Sequence, residues 1–397
     1  MITSDHKREV WHFEQARADL IKRSIESFNW EKSFADLEVD QQVDLLTSTL
    51  LNIFRNFIPH ETVNCKDKNP PWMTKRIKSS LQRKNRMYKK YISRGMKADD
   101  KVKFEEQNTL CESLITESKS RYFANLSRKL VDPLTSPKSY WSTLNRFTGR
   151  GKLPVIPPLN VNGELVTDFT RKANLFNDFF AEQCSTLNND STLPEFSFLT
   201  QHRISEVELS SQRISKIISD LNPNKARGFD NISIKMIQLC GDTIVFPLKL
   251  IFTDAMSSGI FPNKWKKGNI TPVHKKSSKQ LIKNYRPISL LPIFAKIFEK
   301  LIYDSLYKYL HNNKVLSEKQ SGFRPGDSCV NQLIAISHEI FKSFDGKPSL
   351  ETRGVFLDMS KAFDKVWHKG LLFKLKRYGI HGNLFKILEN YLSNRQQ

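Results

Sequence analysis

The sequence predicts an α+β protein, with a largely helical first half and a second half in which helices alternate with short strands. Apolar residues recur at helical spacing over 31–58, and a basic amphipathic helix is predicted over 75–97. Short strands and turns are predicted over 260–292, and a short apolar run indicates a buried strand over 354–358. Hydrophobic residues make up 39% of the chain and charged residues 26%, which is typical of globular domains and not of disorder.

Each element of the first half has a local cause. The helical pattern of 31–58 is broken at Asn69-Pro70-Pro71, because proline cannot donate a backbone hydrogen bond. The segment 75–97 contains ten basic residues and no acidic one, so the predicted helix has a cationic face. A second basic helix is predicted over 101–130, since Asp132-Pro133 follows it. The rest of this half consists of a loop rich in glycine and proline at 149–163 and a helix over 170–184.

A change of composition separates the two halves. Residues 185–203 are rich in serine, threonine and asparagine, and we interpret them as a linker between domains. After the linker, helices are predicted near 204–220, 233–257, 293–311, 329–344 and 370–393.

The charge of the chain indicates its class of partner. Lys and Arg number 63 against 41 Asp and Glu, which gives a formal net charge of +22 and a pI of about 9.7. A polyanion is therefore the expected partner, with nucleic acid first and an acidic membrane second. The most apolar run, 243–261, is interrupted by Pro247, Lys249 and Asp254, so no membrane partner is expected. The five cysteines lie far apart, and we expect an intracellular protein of the nucleus or cytoplasm.

The most informative segment is FLDMSKAFDKVWH at residues 356–368. Asp358 stands at the end of the predicted strand, where a carboxylate can face a cleft. Polymerases use such carboxylates to hold divalent ions that activate the primer hydroxyl. Taken alone, Asp358 is better interpreted as a turn or helix-capping residue.

The surrounding motifs change this interpretation. The 356–368 segment resembles motif A of the reverse transcriptases of non-LTR retrotransposons, the LINE or jockey-like class. Further strings resemble the segment before the fingers and two fingers motifs of that family, in its order: NPNKARGFD (222–230), ITPVHKK (270–276) with NYRPISLLPIFAKIFEKLI (284–302), and QSGFRPGDSC (320–329). The resemblance is strong over 204–397 and weaker over 60–180.

The resemblance implies a domain organisation and partners. Residues 1–184 would form a basic helical extension between endonuclease and polymerase regions, 185–203 the linker, and 204–397 the fingers and partial palm of a right-hand polymerase. The implied activity is RNA-directed DNA polymerisation, with an RNA template, a DNA primer or target, and deoxynucleotides. The implied cofactor of the complete enzyme is Mg²⁺. The oligomeric state, the host and the target site stay open.

The resemblance also implies roles for individual residues. Asp358 matches the catalytic metal-binding carboxylate, and the carbonyl of Met359 would be a second oxygen ligand. Phe363 matches the aromatic residue that blocks a ribose 2′-OH, although an ordinary core Phe is the alternative. Lys275 and Arg286 match fingers cations that hold the incoming triphosphate, whereas a solvated turn is the alternative for Lys275. Arg324 is a further nucleotide-binding residue, Gly322 and Gly326 would allow close backbone approach, and Asp364 and His368 are expected to be structural supports.

The basic helix of 75–97 is a second expected site. Its cations are predicted to bind nucleic acid by charge, while a solvated helix face is the alternative. The residues concerned are Lys75, Arg76, Lys78, Arg83, Lys84, Arg86, Lys89 and Lys90.

One feature departs from the family. After Asp358 the sequence contains no Ala-Asp-Asp hairpin, which would carry the other metal carboxylates, and no thumb. A single carboxylate cannot hold two ions about 3.5–4 Å apart. We therefore expect a C-terminally truncated polymerase that is inactive alone; the alternative is a non-catalytic, basic nucleic-acid-binding relic.

Overall fold

The computed structural model describes residues 7–64, 69–148, 156–184, 192, 193, 195, 197, 200–348 and 350–397. The helices are α1 (Ala18–Glu26), α2 (Trp30–Phe34), α3 (Val39–Phe57), α4 (Lys75–Ser93), α5 (Ala98–Val131), α6 (Pro137–Phe147), α7 (Phe169–Cys184), α8 (Ser211–Asp220), α9 (Ile234–Cys240), α10 (Val245–Ser258), α11 (Ile293–Asn312), α12 (Cys329–Asp345), α13 (His368–Arg377) and α14 (Gly382–Leu392). The strands are β1 (Lys7–Trp11), β2 (His60–Asn64), β3 (Leu159–Val161), β4 (Glu164–Val166), β5 (Asn269–His274) and β6 (Tyr285–Leu290).

The chain divides into two compact units, and its sheets are small. One unit consists of Met1–Val10 and Glu61–Ile156, and the other of Trp11–His60 and Pro157–Gln397. Among the described residues, three two-stranded sheets form, each from one strand pair: β1 with β2, β3 with β4, and β5 with β6. The mixture of helices and small sheets agrees with the predicted α+β class.

The unit that contains α4 and α5 is built on an antiparallel helical hairpin. Thr74 caps α4 by accepting a hydrogen bond from the Ile77 amide at 3.3 Å, which satisfies one free N–H of the first turn. The predicted helices over 75–97 and 101–130 are therefore confirmed. The pairs that pack across the hairpin keep one antiparallel register: Trp72 with Lys119, Ser80 with Cys111, Lys84 with Asn108, and Tyr88 with Phe104.

The other unit is held by a large apolar core. Helix α3 buries Val43, Leu46 and Leu50, as its helical spacing predicted, and they pack with residues of α8–α11 and α14. At the centre the rings of Phe252 and Phe298 are stacked with centroids 4.8 Å apart. Replacing either ring by Ala would cost about 3–5 kcal/mol, because the buried ring would leave a cavity.

Two sequence expectations concern this unit. Helices α1–α3 belong to the predicted N-terminal extension, yet they share the core of α8–α11. The predicted linker 185–203 falls largely outside the described residues, and the domain boundaries stay a prediction.

One stretch of this core is as apolar as a membrane span. Ile234–Ser258 is long and apolar enough to cross a membrane by length and composition, and half of the most apolar part is buried inside the protein. A core helix passes the same test, and Ile237, Leu248 and Phe252 of this stretch are fully buried.

Candidate nucleotide and nucleic-acid site

The β5–β6 hairpin presents two predicted nucleotide-binding cations on one face. Val273 pairs with Arg286 across the hairpin, and the Lys275 amide donates to the Asn284 carbonyl at 2.8 Å. Alternate residues of a strand point to the same face, so Lys275 lies on the face of Val273 and Arg286. Lys275 and Arg286 are both exposed. The hairpin therefore carries two separate positive charges toward solvent on a hydrogen-bonded framework.

The opposite face of the hairpin is anchored to α7. Tyr285 is buried, its ring centroid lies 4.9 Å from that of Phe176, and its hydroxyl donates to the Lys279 carbonyl at 2.7 Å. Burial raises the pKa of the Tyr285 phenol, which keeps it a neutral donor. The aromatic contact fixes the hairpin, and with it the orientation of the exposed cations.

Arg324 lies in a turn that precedes α12. Its guanidinium carbon is 6.0 Å from the ring centroid of Tyr307 on α11, so the cation is partly covered by an aromatic face. Gly326 has φ +82°, a conformation that favours glycine. An added Cβ at Gly322 or Gly326 would meet no described protein atom within 4 Å, and the close backbone approach expected at these two glycines stays a prediction.

The predicted strand at 354–358 is wrong. Residues 351–359 form no regular structure, and Asp358, Met359 and Phe363 are exposed, the last by 77%. An isolated apolar run becomes a strand only when another strand pairs with it, and no described strand lies beside this run. The alternative interpretation of Phe363 as a core residue is therefore also wrong.

Two contacts nevertheless hold the motif A segment near other parts of this unit. The Phe363 ring meets the Phe323 ring edge to face, with centroids 5.8 Å apart. The Lys361 ammonium lies 5.7 Å from the Phe179 ring on α7. Burial and the nearby Asp364 charge together raise the pKa of the Cys184 thiol at the end of α7. Motif A is thus brought beside the Arg324 turn and α7, and Asp364 contributes to the α7 side.

The described residues do not fit a two-ion metal site. Within the described ranges, no group of three or more His, Cys, Asp and Glu side chains could hold a metal ion. Asp358 is exposed, without the further carboxylates that two ions need.

A half-buried acid near the hairpin was not singled out from the sequence. Gly228 is so close to the end of β6 that an added Cβ would lie 2.6 Å from the Pro292 nitrogen. The neighbouring Asp230 lines a cavity of about 580 Å³ with Phe229 and Pro292. Burial raises the pKa of Asp230 to about 6, while the Ile232 amide and the nearby cations oppose this. The Gly-Phe-Asp string was the available signal, because glycine allows such an approach.

The predicted nucleic-acid-binding residues of α4 divide into two sets. Lys84 donates to the Asn108 side chain at 3.2 Å, and Lys90 lies 3.8 Å from Asp100. The remaining six are exposed and form no salt bridge with any described residue. These six are called the cationic face: Lys75, Arg76, Lys78, Arg83, Arg86 and Lys89.

Comparison with known proteins defines the class of the chain. Residues 273–397 match the family described as reverse transcriptase (RNA-dependent DNA polymerase). This range includes Lys275, Arg286, Arg324 and the motif A segment. Residues 273–397 are therefore similar to reverse transcriptases, as the motifs of the sequence predicted.

The relatives that the chain resembles come from mobile elements. The chain is 25% identical over 331 residues to the probable RNA-directed DNA polymerase from transposon BS of Drosophila melanogaster, covering 82% of this chain and 36% of that protein. It is 26% identical over 368 residues to the RNA-directed DNA polymerase from mobile element jockey of the same species, covering 90% and 39%. The corresponding protein of transposon X-element is 33% identical over 184 residues, covering 46% and 20%. The chain spans less than two-fifths of these relatives, and the predicted resemblance to non-LTR retrotransposon reverse transcriptases is confirmed.

Proposed function

We propose that this chain supplies the fingers and the first palm segment of an RNA-directed DNA polymerase of a non-LTR retrotransposon. The observation that carries the proposal is the shared exposed face of Lys275 and Arg286 on the anchored β5–β6 hairpin, inside the region that matches the reverse transcriptase family. Two cations on a rigid hairpin suit an incoming triphosphate, since they gain phosphate contacts without a loop having to order. RNA, a DNA primer and deoxynucleotides are the proposed substrates and partners.

The other site residues receive roles around this hairpin. Arg324 would add a third phosphate contact, and Phe363 would exclude a ribose 2′-OH by packing under the sugar. Asp358 would be one metal-binding carboxylate, assisted by the Met359 carbonyl. We propose that magnesium binds only when further carboxylates lie beside Asp358, because the described residues alone do not form a two-ion metal site.

It follows that the 397-residue chain should not extend primers alone. The test is primer extension by the purified chain on poly(rA)/oligo(dT) with magnesium or manganese, and we expect no product. Template-dependent extension that disappears in Asp358→Asn would refute this expectation.

A chimera tests the proposed roles directly. The palm and thumb segments of an intact relative are joined after this chain, and magnesium-dependent synthesis is measured. Asp358→Asn should abolish synthesis, whereas the matched exposed acid variant Asp345→Asn should not. Phe363→Ala should raise ribonucleotide incorporation, and Arg286→Ala should mainly raise the KM for deoxynucleotide. An Asp358→Asn chimera that extends primers at the parental rate would overturn the site.

A second function is favoured by the cationic face of α4. Six exposed cations without described ion pairs can neutralise phosphates of RNA or DNA with little sequence preference. This binding requires no catalysis, so it also represents the alternative of a non-catalytic nucleic-acid-binding protein. A variant of the chimera that no longer extends primers but still binds nucleic acid would show that the two functions are separate.

A further inference from the structure

Helix α11 carries a row of stacked rings on its outer face. Tyr303, Tyr307 and His311 are spaced four residues apart, and we call them the aromatic ladder. The Tyr303 and Tyr307 centroids are 5.8 Å apart with 24° between the rings, and the Tyr307 and His311 centroids are 5.9 Å apart with 8°. Tyr303 is 45% exposed, and His311 is also exposed. The ladder is therefore a nearly parallel stack of rings at the surface.

The ladder has no part in the apolar core. The opposite side of α11 packs inward through Phe298, Leu301 and Ile302, all of which are buried. Because this buried side fixes the helix, the rings on the outer face are held in position before any ligand binds. A fixed ring loses little conformational entropy when a planar group stacks on it.

Positive charge surrounds the ladder. The Lys300 ammonium lies 4.9 Å from the Tyr303 ring centroid, and Arg324 lies over Tyr307. Lys308 and Lys314 are exposed nearby along the same helix and its end. Two acids lie near these cations. Asp304 is already paired with Lys300 at 2.7 Å and with Arg213 at 3.3 Å, and the pKa of Asp327 is lowered by the Ser321 side chain and, in part, by the charge of Arg324.

One of these cations lacks an acceptor. The Nη1 atom of Arg324 is buried and has no hydrogen-bond partner among the described residues. A buried guanidinium nitrogen without a partner is costly, and an incoming phosphate or base oxygen would satisfy it. This observation is independent of the ring geometry, and it also points to a polyanionic ligand.

We propose that the aromatic ladder is a stacking site for single-stranded RNA. Aromatic rings beside cations bind single strands, because each base offers a ring face and each linkage offers a phosphate. Duplexes fit less well, since their base faces are already stacked on one another. The choice of RNA over DNA rests on the proposed function, in which RNA is the template; the stacking site itself does not require polymerisation.

The test uses the full chain and a single-stranded RNA that contains 2-aminopurine, whose fluorescence is quenched when it stacks on a ring. We expect quenching on binding, and Tyr303→Leu/Tyr307→Leu should remove most of it and weaken RNA affinity at least about fivefold. Tyr303→Phe/Tyr307→Phe keeps both rings and is the matched control, so it should quench like the parent. Phe246→Leu, at a 48% exposed ring on α10, controls for loss of an unrelated aromatic residue.

The outcomes separate this inference from the polymerase proposal. Equal quenching by the Leu and Phe double variants would overturn the stacking site, whatever the chimera does. A clear preference for DNA of the same sequence would overturn the assignment to RNA. Photo-crosslinking of 5-bromouridine RNA to the unaltered chain gives a second measurement that needs no variant. Crosslinks at Tyr303 or Tyr307 support the site, and crosslinks confined to other residues contradict it.

Discussion

The cationic face of α4 should dominate how the binding of nucleic acid depends on salt. Lys84 and Lys90 are unsuitable for replacement, because they already contact Asn108 and Asp100. The informative variant is therefore Arg83→Ala/Arg86→Ala/Lys89→Ala, which removes half of the six cations that are exposed and lack described ion pairs. These side chains are exposed and take no part in the described contacts of α4 with α5, so the helical hairpin should keep its fold.

The magnitude follows from counterion release. Each phosphate contact on duplex DNA adds about 0.9 to the negative slope of log affinity against log salt. Six contacts predict about a 10³-fold loss of affinity between 50 and 200 mM salt, and three contacts predict only about a 40-fold loss. The triple variant should therefore lower the slope by about 2.7, whatever other surfaces contribute.

Fluorescence anisotropy of a labelled duplex at several salt concentrations measures this slope. The matched control is Lys32→Ala/Lys216→Ala/Lys249→Ala, which removes the same charge from exposed positions of the other unit. The control should leave the slope nearly unchanged. If both triple variants lower the slope equally, net charge and not the α4 face determines binding, and the reasoning fails.

Two further predictions concern the surroundings of the hairpin. Gly228→Ala should lower the free energy of unfolding by about 1–3 kcal/mol, because its Cβ would meet the Pro292 backbone. The control Gly322→Ala has open space around its Cβ and should change the free energy of unfolding by less than about 1 kcal/mol. Equal effects of the two variants in urea denaturation would contradict the close approach of Gly228 to Pro292. The folded-state pKa of Asp230, about 6, lies above its unfolded value, so the folded chain binds more protons between pH of about 4 and 6. The protonated Asp230 carboxyl therefore stabilises the folded state at low pH. As pH rises through 6, the free energy of unfolding should fall by up to about 3 kcal/mol, and this fall should be absent in Asp230→Asn. Parallel stability profiles of the two proteins over this range would contradict the raised pKa of Asp230.

Helices were predicted well because their causes are local. The basic run of 75–97 and the apolar spacing of 31–58 each follow a 3.6-residue period, and the structure places helices in both segments. The residue pairs across the α4–α5 hairpin were not predictable, since residues far apart in sequence meet there. The same holds for Gly228 against Pro292.

The strand at 354–358 failed for a related reason. A strand is stable only beside a second strand that pairs with it, and the sequence of one segment does not show whether such a strand is present. For the candidate site, motif matching supplied Lys275 and Arg286, and alternation along two paired strands explains their shared face. The aromatic ladder was not predicted, because Tyr303 and Tyr307 follow the 284–302 motif and the stacking of their rings becomes visible only in the structure.

The positions of the cysteines make the two units separately observable. Cys111 is buried between α4 and α5 beside Ser80, and Cys240 is buried in the other unit, while Cys329 is exposed. A buried thiol reacts with a labelling reagent only when its surroundings open, so its rate of modification relative to an exposed thiol gives the free energy of opening. Each unit thus contains a buried thiol that reports on its local opening, and the chain contains an exposed thiol for comparison. Local stability can therefore be followed without introducing a further cysteine.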